Sequence, residues 1–135
     1  MLRDLLDSTQ EVIYFKGLDG RYIKASRAKL AMHGFTSEEQ IIGKNDRELY
    51  GDKFDVSFEN EEKEIIRTGK GVVDILEKVE GADGSVTWLS VSKLPIFDKE
   101  GGVVGIWISY HDVTKMVLLE EKVSRLAASE GNLLH

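Results

Sequence analysis

Residues 83–114 read DGSVTWLSVSKLPIFDKEGGVVGIWISYHDVT, and this stretch decides the fold. Two apolar runs rich in β-branched residues, 86–97 and 103–113, flank the polar, glycine-bearing segment DKEGG at 98–102. That order predicts two long antiparallel strands joined by a hairpin turn. Because side chains alternate along a strand, both faces of this hairpin carry large apolar groups, so the sheet must be covered on both sides.

The composition limits the chain to a few classes of protein. Its 135 residues suit one domain, and the net charge of -6 without a basic cluster argues against a nucleic-acid partner. The absence of cysteine excludes disulfides, thiolate metal sites and cysteine nucleophiles. No apolar run approaches the ~20 residues of a membrane span, and the first residues lack the apolar core of a signal peptide. We therefore expect a cytoplasmic protein with no membrane contact in this segment.

The segments before residue 83 alternate between strands and short helices. Leu2, Leu5 and Leu6 form an apolar stripe that predicts a short amphipathic helix over residues 2–8. The next elements are predicted from strand alternation, helix caps and glycine stops, in this order: strands at 12–15 and 22–25, helices at 27–33, 36–43 and from 45, a longer helix at 52–68, and a strand at 73–80.

The longer helix is predicted to be amphipathic. Phe54, Phe58 and Ile65 fall on one side, and the acidic run 59–64 falls mostly on the other. We interpret the acidic run as a solvated helix face, and no carboxylate stands out as paired or buried. The predicted topology is two strands, four helices and three strands, with all the strands in one sheet.

Several motifs at this spacing resemble the PAS domain family over about residues 6–116. The matching segments are LDGRYIKAS (18–26), GFTSEEQIIGKND (34–46), ADG (82–84), WLSVSKLPIFDKEGGVVGIW (88–107) and DVT (112–114). The last three segments resemble the family's carboxy-terminal PAC motif, and Ser26 stands where the family most often has Asn. The resemblance implies an α+β PAS fold, with a five-stranded antiparallel sheet, short helices on one face, and N-terminal and C-terminal flanking helices.

The resemblance also implies a pocket between the sheet and the helices. In PAS domains this pocket holds haem, flavin, a hydroxycinnamate or a small metabolite, or it is filled by side chains. Alignment and strand parity place these candidates there: Val73, Ile75, Val79, Leu89, Val91, Ile106, Ile108 and Tyr110, with Phe54, Phe58 and Ile65 from the long helix. The hydroxyl of Tyr110 could hydrogen-bond a ligand. The alternative, that all of these residues are simply core, stays open.

Several cofactors can be weighed against the residues present. Light-oxygen-voltage flavin domains require a cysteine in the helix near GKND, so covalent flavin chemistry is excluded, while noncovalent flavin stays open. Haem PAS domains usually bind iron through a histidine on the long helix, and residues 52–68 contain none. No cluster of histidine and carboxylate has ligand spacing, so no metal site is expected. The sequence therefore does not identify a cofactor, and the chain is expected to bind either no cofactor or a noncovalent small molecule.

The C-terminal segment suggests a way for a signal to leave. Leu119, Val123 and Leu126 have the a/d spacing of a coiled coil, although a helix folded back on its own sheet is an equal alternative. Asp112 and Thr114 are natural helix caps that would tie the last strand to this helix. In the family, such a helix continues into an effector such as a kinase or cyclase.

Two hypotheses follow, neither of them enzymatic, because no nucleophile and base pair or phosphate loop is visible. The first is a sensor and signal-relay module of a bacterial or archaeal signalling protein, such as a two-component sensor histidine kinase. Its parts would be an N-terminal helix (1–9), a PAS domain (10–114) and a signalling helix (115–135). The second is a homodimerisation or adaptor domain with a filled core. The interface candidates are Leu2, Leu5, Leu6, Trp88, Trp107, Leu119, Val123 and Leu126.

Overall fold

The computed structural model describes residues 11–133 of the chain. The helix predicted at 2–8, with the interface candidates Leu2, Leu5 and Leu6, lies outside the described residues. Within them the chain forms five strands, four α-helices and two single-turn 3-10 helices. In chain order these are β1 (Val12–Gly17), β2 (Tyr22–Ala25), α1 (Arg27–Met32), a 3-10 turn (Glu38–Gln40), α2 (Asp46–Tyr50), a 3-10 turn (Gly51–Lys53), α3 (Val56–Thr68), β3 (Val72–Glu80), β4 (Val86–Phe97), β5 (Val103–Asp112) and α4 (Thr114–Leu133).

The strands form one antiparallel sheet with the order β2-β1-β5-β4-β3. The hairpin predicted from the opening stretch is β4 and β5, paired from Leu89 and Asp112 to Phe97 and Val103. The other edge of β5 pairs with β1, so the first hairpin joins the three C-terminal strands in a continuous sheet. The predicted α+β fold, with short helices on one face of this sheet, is confirmed.

Two helices are shorter than the sequence predicts. The segment 36–43 forms only the single turn Glu38–Gln40. The helix expected from residue 52 begins at Val56, because Phe54 is extended and the Asp55 carboxylate caps the helix by accepting a hydrogen bond from Ser57 N at 2.9 Å. That helix ends at Gly69, whose φ of 69° is the left-handed conformation expected of a glycine cap.

The core lies between the inner face of the sheet and the helices that cover it. Its buried residues are Tyr14, Tyr22, Ala25, Leu30, Ile41, Ile65, Ile106 and Ile108. Strand alternation accounts for the sheet members, since Tyr14 pairs with Ile108 and with Ala25 on the same face. Ile65 reaches this cluster from α3, so the apolar stripe of that helix is directed inward.

Strand β3 departs from the predicted alternation at its start. The register between β3 and β4 shifts between Val72 and Ile75, and Asp74 has a φ of 52°. Val72, rather than Val73, is therefore the partner of inward-facing Lys93. Val73 and Ile75, which the sequence predicts to face a pocket, are 59% and 46% exposed on this edge strand.

Helix α4 is tied to β4 at its first residue. Thr114 Oγ1 accepts a hydrogen bond from Trp88 N at 2.8 Å, and Val113 N donates to Trp88 O at 2.8 Å. Asp112 Oδ1 accepts from Thr114 N at 2.8 Å, which is the cap at the strand end that the sequence suggested. The predicted interface candidates Leu119, Val123 and Leu126 are 58%, 59% and 56% exposed along this helix.

The outer face of the sheet carries the two tryptophans. Trp107 packs against Phe15 with 5.0 Å between ring centroids, and Trp88 lies beside the amine of Lys78. Both tryptophans are half-buried, whereas Val113 at the end of this face is buried. The role of Trp88 and Trp107 in an interface stays a prediction.

Replacing Ser26 by alanine is expected to destabilise the fold. The buried Ser26 hydroxyl accepts from Ile13 N at 3.0 Å and Lys29 N at 3.3 Å, and donates to Glu11 O at 3.0 Å. Ser26→Ala should lower the free energy of unfolding by about 1–3 kcal/mol, because it leaves buried backbone groups without partners. Urea denaturation measures the loss, with exposed Ser85→Ala as the control expected to change stability by less than about 0.5 kcal/mol. An equal loss of unfolding free energy in Ser26→Ala and Ser85→Ala would contradict the stabilising role of the Ser26 hydroxyl.

Candidate functional site

A cavity of about 250 Å³ lies between the inner face of the sheet and the segment that contains α2 and α3. The strands contribute Tyr14, Glu77, Val79, Leu89, Val91, Lys93, Ile108 and Tyr110 to its wall. The helices and their connection contribute Asp46, Tyr50, Lys53, Phe54, Asp55, Phe58 and Glu62. Phe58 and Val79 are 47% and 45% exposed, so the cavity opens to solvent between α3 and β3.

The predicted pocket residues divide into three groups. Those in the cavity wall are Phe54, Phe58, Val79, Leu89, Val91, Ile108 and Tyr110. Ile65 and Ile106 are instead buried in the core and are absent from this wall, and Ile106 also lines a smaller cavity. Val73 and Ile75 are absent from this wall and exposed on the edge strand β3, where Val73 lies within the register shift and Ile75 pairs with Val91.

All four tyrosines of the chain gather at this site. The ring centroids of Tyr14 and Tyr22 are 5.1 Å apart, and those of Tyr14 and Tyr110 are 6.4 Å apart. Burial raises the pKa of all of them, to about 12 for Tyr50, so they are neutral hydrogen-bonding groups near neutral pH. The Tyr110 hydroxyl, which the sequence offered to a ligand, donates to Met32 Sδ at 3.2 Å.

A buried ion-pair network forms the polar end of the cavity. Lys16 is 2% exposed, and its amine binds Asp46 on α2 and Glu62 on α3, the latter at 2.8 Å. Asp46 also accepts from the Tyr22 hydroxyl at 2.6 Å. Burial raises the pKa of Glu62, while the Lys16 ammonium opposes the rise.

The interpretation of residues 59–64 as a solvated face is therefore wrong in part. Glu62 has only 12% of its side chain exposed and points to Lys16, and Glu61 pairs with the buried Lys93 of β4. The reason is that α3 lies over two inward-facing lysines, which compensate for the burial of acidic groups. Lys93 shares the strand parity of Leu89 and Val91, so parity could have placed it inward from sequence.

Lys29 is a second buried amine beside this network. It donates to the Tyr50 hydroxyl at 3.0 Å and lies 4.5 Å from the centroid of the Tyr14 ring. Burial lowers the pKa of Lys29 to about 8, with Asp46 opposing the change and Lys16 adding to it. The residue has no carboxylate within ion-pair distance among the described residues, so the aromatic rings are its main compensation.

A smaller cavity of about 180 Å³ lies on the other side of the same network. Asp46, Phe54 and Glu62 line both cavities, while Lys16 and the turn of the first hairpin line only the smaller one. The ion pairs of Lys16 therefore form a partition between two spaces.

The described residues contain neither a metal-binding cluster nor a membrane-spanning helix. Over residues 11–133, no three histidine, cysteine, aspartate or glutamate side chains are grouped so that they could hold a metal ion. In the same range, no helix combines the length and the apolar character needed to cross a bilayer.

Comparison with known proteins identifies this architecture as the PAS fold. A sequence profile described as PAS fold matches residues 6–117. The VqmA dimer of Vibrio cholerae, a DNA-binding LuxR-type receptor, is 23% identical over 84% of this chain, with a TM-score of 0.68. A structure of VqmA bound to DPO is 22% identical over 81% of this chain, with a TM-score of 0.66. This chain covers 50% and 55% of those two VqmA chains. Among curated proteins, no sequence matches this chain.

Two further structures have the same fold. An RNA-binding light-oxygen-voltage receptor is 20% identical with a TM-score of 0.63, over 99% of this chain and 38% of its own. The PAS domain of a protein from Colwellia psychrerythraea is 20% identical with a TM-score of 0.60, over 83% of this chain and 93% of its own.

The expectation that a nucleic-acid partner is absent is contradicted by these comparisons. VqmA binds DNA and the light-oxygen-voltage receptor binds RNA, and each contains a region with the fold of this chain. A net charge of -6 over these 135 residues does not exclude a nucleic-acid partner, because proteins that contain this fold bind DNA or RNA.

Removing the Lys16 amine is expected to destabilise the protein strongly. Lys16→Met should cost about 3–5 kcal/mol of unfolding free energy, because Asp46 and Glu62 lose their shared cation. Chemical denaturation measures this cost, and adding Glu62→Gln and Asp46→Asn should recover part of it. Lys63→Met is the control, since Lys63 is 71% exposed in its pair with Glu59. A loss no larger than that of the control would contradict the network's role.

The lowered pKa of Lys29 predicts a pH dependence of stability. Below about pH 8 the amine is charged in both the folded and unfolded states, and the cost of burying it is fully present. Between about pH 8 and 10.5 the folded protein releases the proton first, so wild-type stability should rise relative to Lys29→Met. Denaturation curves from pH 7 to 10 measure the difference. A difference that stays constant, or falls, would exclude a lowered pKa.

Proposed function

The chain belongs to the PAS fold family, and from that premise we propose that it is a sensor and signal-relay module that binds a small molecule in the 250 Å³ cavity. The observation that carries the proposal is the cavity's wall, where an apolar floor formed by Leu89, Val91 and Ile108 meets polar groups at an opening to solvent. The structure of VqmA bound to DPO supports it as an example of a protein that contains this fold and binds a ligand.

The proposed relay runs through β4. The side chain of Leu89 lines the cavity, and the backbone of its neighbour Trp88 holds Thr114 and Val113 at the start of α4. A ligand that displaces the wall of β4 would therefore act on the helix start within one residue. Such a ligand transmits a signal only if it binds two arrangements of this junction with different affinity.

The output would come from an effector that follows the PAS domain (10–114) and its signalling helix (115–135). We propose a cytoplasmic bacterial or archaeal signalling protein with no enzymatic activity in this segment. The effector would be a histidine kinase, a cyclase or, as in VqmA, a unit that acts on DNA.

A dimerisation or adaptor role is the second candidate. One observation favours it, namely the exposed apolar stripe of Leu119, Val123 and Leu126 along α4. These residues have coiled-coil spacing, and a second copy of the helix would cover them. In this alternative the cavity would have no ligand.

Blocking the cavity distinguishes the two candidates. Val79→Trp should place an indole in the opening and abolish ligand binding, and Val104→Trp is the matched control. Both valines lie on strands, at 45% and 46% exposure, and only Val79 lines the cavity. Native mass spectrometry detects a retained ligand, and a thermal-shift screen of metabolites detects an exchangeable one, since a ligand at about 100 times its Kd adds about 2.7 kcal/mol of stability.

The relay is tested with the same pair of variants. A ligand found in the screen should change hydrogen exchange at residues 114–126 in the wild type and in Val104→Trp, but not in Val79→Trp. If a broad screen finds no ligand, or Val79→Trp binds as well as the wild type, the sensory proposal fails and the adaptor role remains.

A further inference from the structure

We infer that the cavity selects a small organic cation, an amine with an apolar body, whose ammonium is held by Glu77 and the ring of Tyr110. This inference rests on the proposed function and adds the chemical class of the ligand. The basis of the inference is a comparison of the charged and aromatic groups in the cavity wall. Some of them already have an ion-pair, hydrogen-bond or cation-π partner within the protein, and others do not.

Among the charged groups of the wall, the unused hydrogen-bonding capacity is mainly that of acceptors. Glu77 lines the cavity from β3, and over residues 11–133 no group donates a hydrogen bond to its carboxylate or forms an ion pair with it. Glu62 accepts from Lys16 through Oε1, which leaves Oε2 without a donor in the same range. A ligand that enters therefore meets carboxylate oxygens that can accept charge-assisted hydrogen bonds.

The lysines of the wall offer little to an anion. The Lys93 amine is paired with Glu61 and lies 5.0 Å from the centroid of the Phe58 ring. Lys53 is exposed at the opening, where solvent screens its charge. Lys16 and Lys29 are not part of this wall, so an anionic ligand would have to break the Lys93 pair to gain a buried cation.

The aromatic rings of the wall are already used as cation sites, with one exception. Lys29 lies over Tyr14 and Tyr50, at 4.5 and 5.4 Å, and Arg47 lies 4.5 Å from the centroid of Phe54. Together with Lys93 over Phe58, these contacts occupy four of the five aromatic rings in the wall. The described residues place no cation over the ring of Tyr110, which is therefore available to a ligand.

The field in the cavity has the sign that favours a cation. Burial is the main reason that the pKa of Tyr110 is raised, and the carboxylates of Asp46 and Glu77 raise it further. The pKa of Tyr14 is raised by burial and also by Asp46 and Glu62. Asp46, Glu62 and Glu77 all lie in the cavity wall, and their carboxylates contribute a negative potential there, which attracts an ammonium.

The size of the cavity limits the ligand. A volume of 250 Å³ is equivalent to roughly eight water molecules in the liquid, and it lies below the ~300–1,000 Å³ of pockets for drug-sized ligands. The apolar body would pack on Leu89, Val91 and Ile108, which form the floor of the cavity. Amines with one small ring or a short alkyl chain meet both conditions.

The charge preference can be measured with matched probes. Phenethylamine, cyclohexylmethylamine and n-pentylamine would each be compared with the alcohol and the carboxylate of the same skeleton, by ligand-observed NMR at pH 7. At least one amine should bind roughly tenfold more tightly than both of its counterparts, a difference of about 1.4 kcal/mol. The inference is overturned if an alcohol or carboxylate binds as tightly as its amine throughout, or if no amine binds.

Glu77→Gln tests the anchor. This variant should remove most of the preference for the amine and leave the affinity for the alcohol unchanged. Glu80→Gln is the matched control, because Glu80 lies on the same strand, is 69% exposed, and is absent from the cavity wall. An unchanged preference in Glu77→Gln would overturn the inference, and equal thermal melting of both variants would exclude misfolding as the cause of a loss.

The outcome separates this inference from the sensory proposal. If a neutral or anionic probe binds best and Val79→Trp blocks its binding, the inference of a cationic ligand is wrong, while the proposal of a sensory pocket is supported. If the probes that bind the wild type also bind Val79→Trp, the cavity is not their site, and both proposals fail.

Discussion

The structure depends most on the placement of the Lys16 ammonium, which lies between β1 and two helices. Lys16 is 2% exposed and binds Asp46 at the start of α2 and Glu62 in the middle of α3. A lysine this deeply buried requires compensating charge, so both helices are fixed relative to the sheet by the same cation. The partners also explain why an acidic helix can lie over a sheet instead of facing solvent.

This polar contact leaves space in the interior. Where α3 packs through Ile65 onto the core, the helix and the sheet meet directly. Toward the start of α3, charged and aromatic side chains hold the separation, and a cavity of about 250 Å³ remains. Its wall combines the apolar parity positions of β4 and β5 with tyrosines whose pKa values are raised by burial. The shape of the cavity and the charges of its wall therefore have a common origin, because Asp46 and Glu62 line the cavity and also bind Lys16.

The cavity and the C-terminal helix are linked by two adjacent residues of β4. Leu89 faces the cavity, and Trp88, one residue earlier, carries both backbone hydrogen bonds to the beginning of α4. Alternation makes this possible, since adjacent residues of one strand serve opposite faces of the sheet. One strand thus carries part of the cavity wall on one face and holds the start of α4 through the backbone of the adjacent residue.

The sequence by itself determined the antiparallel sheet, the order of the elements, the cap at Ser26 and the inward parity of Leu89, Val91 and Ile108. These features depend on alternation, turn residues and hydrogen bonds between near neighbours, which are visible in a short window. Only the tertiary structure decided that Glu62 is buried, that Ile65 and Ile106 fill the core, and that Val73 and Ile75 lie outside the cavity. Those outcomes depend on which helix lies over which strand and on one register shift in β3, and no local pattern specifies contacts between residues as distant as Lys16 and Glu62.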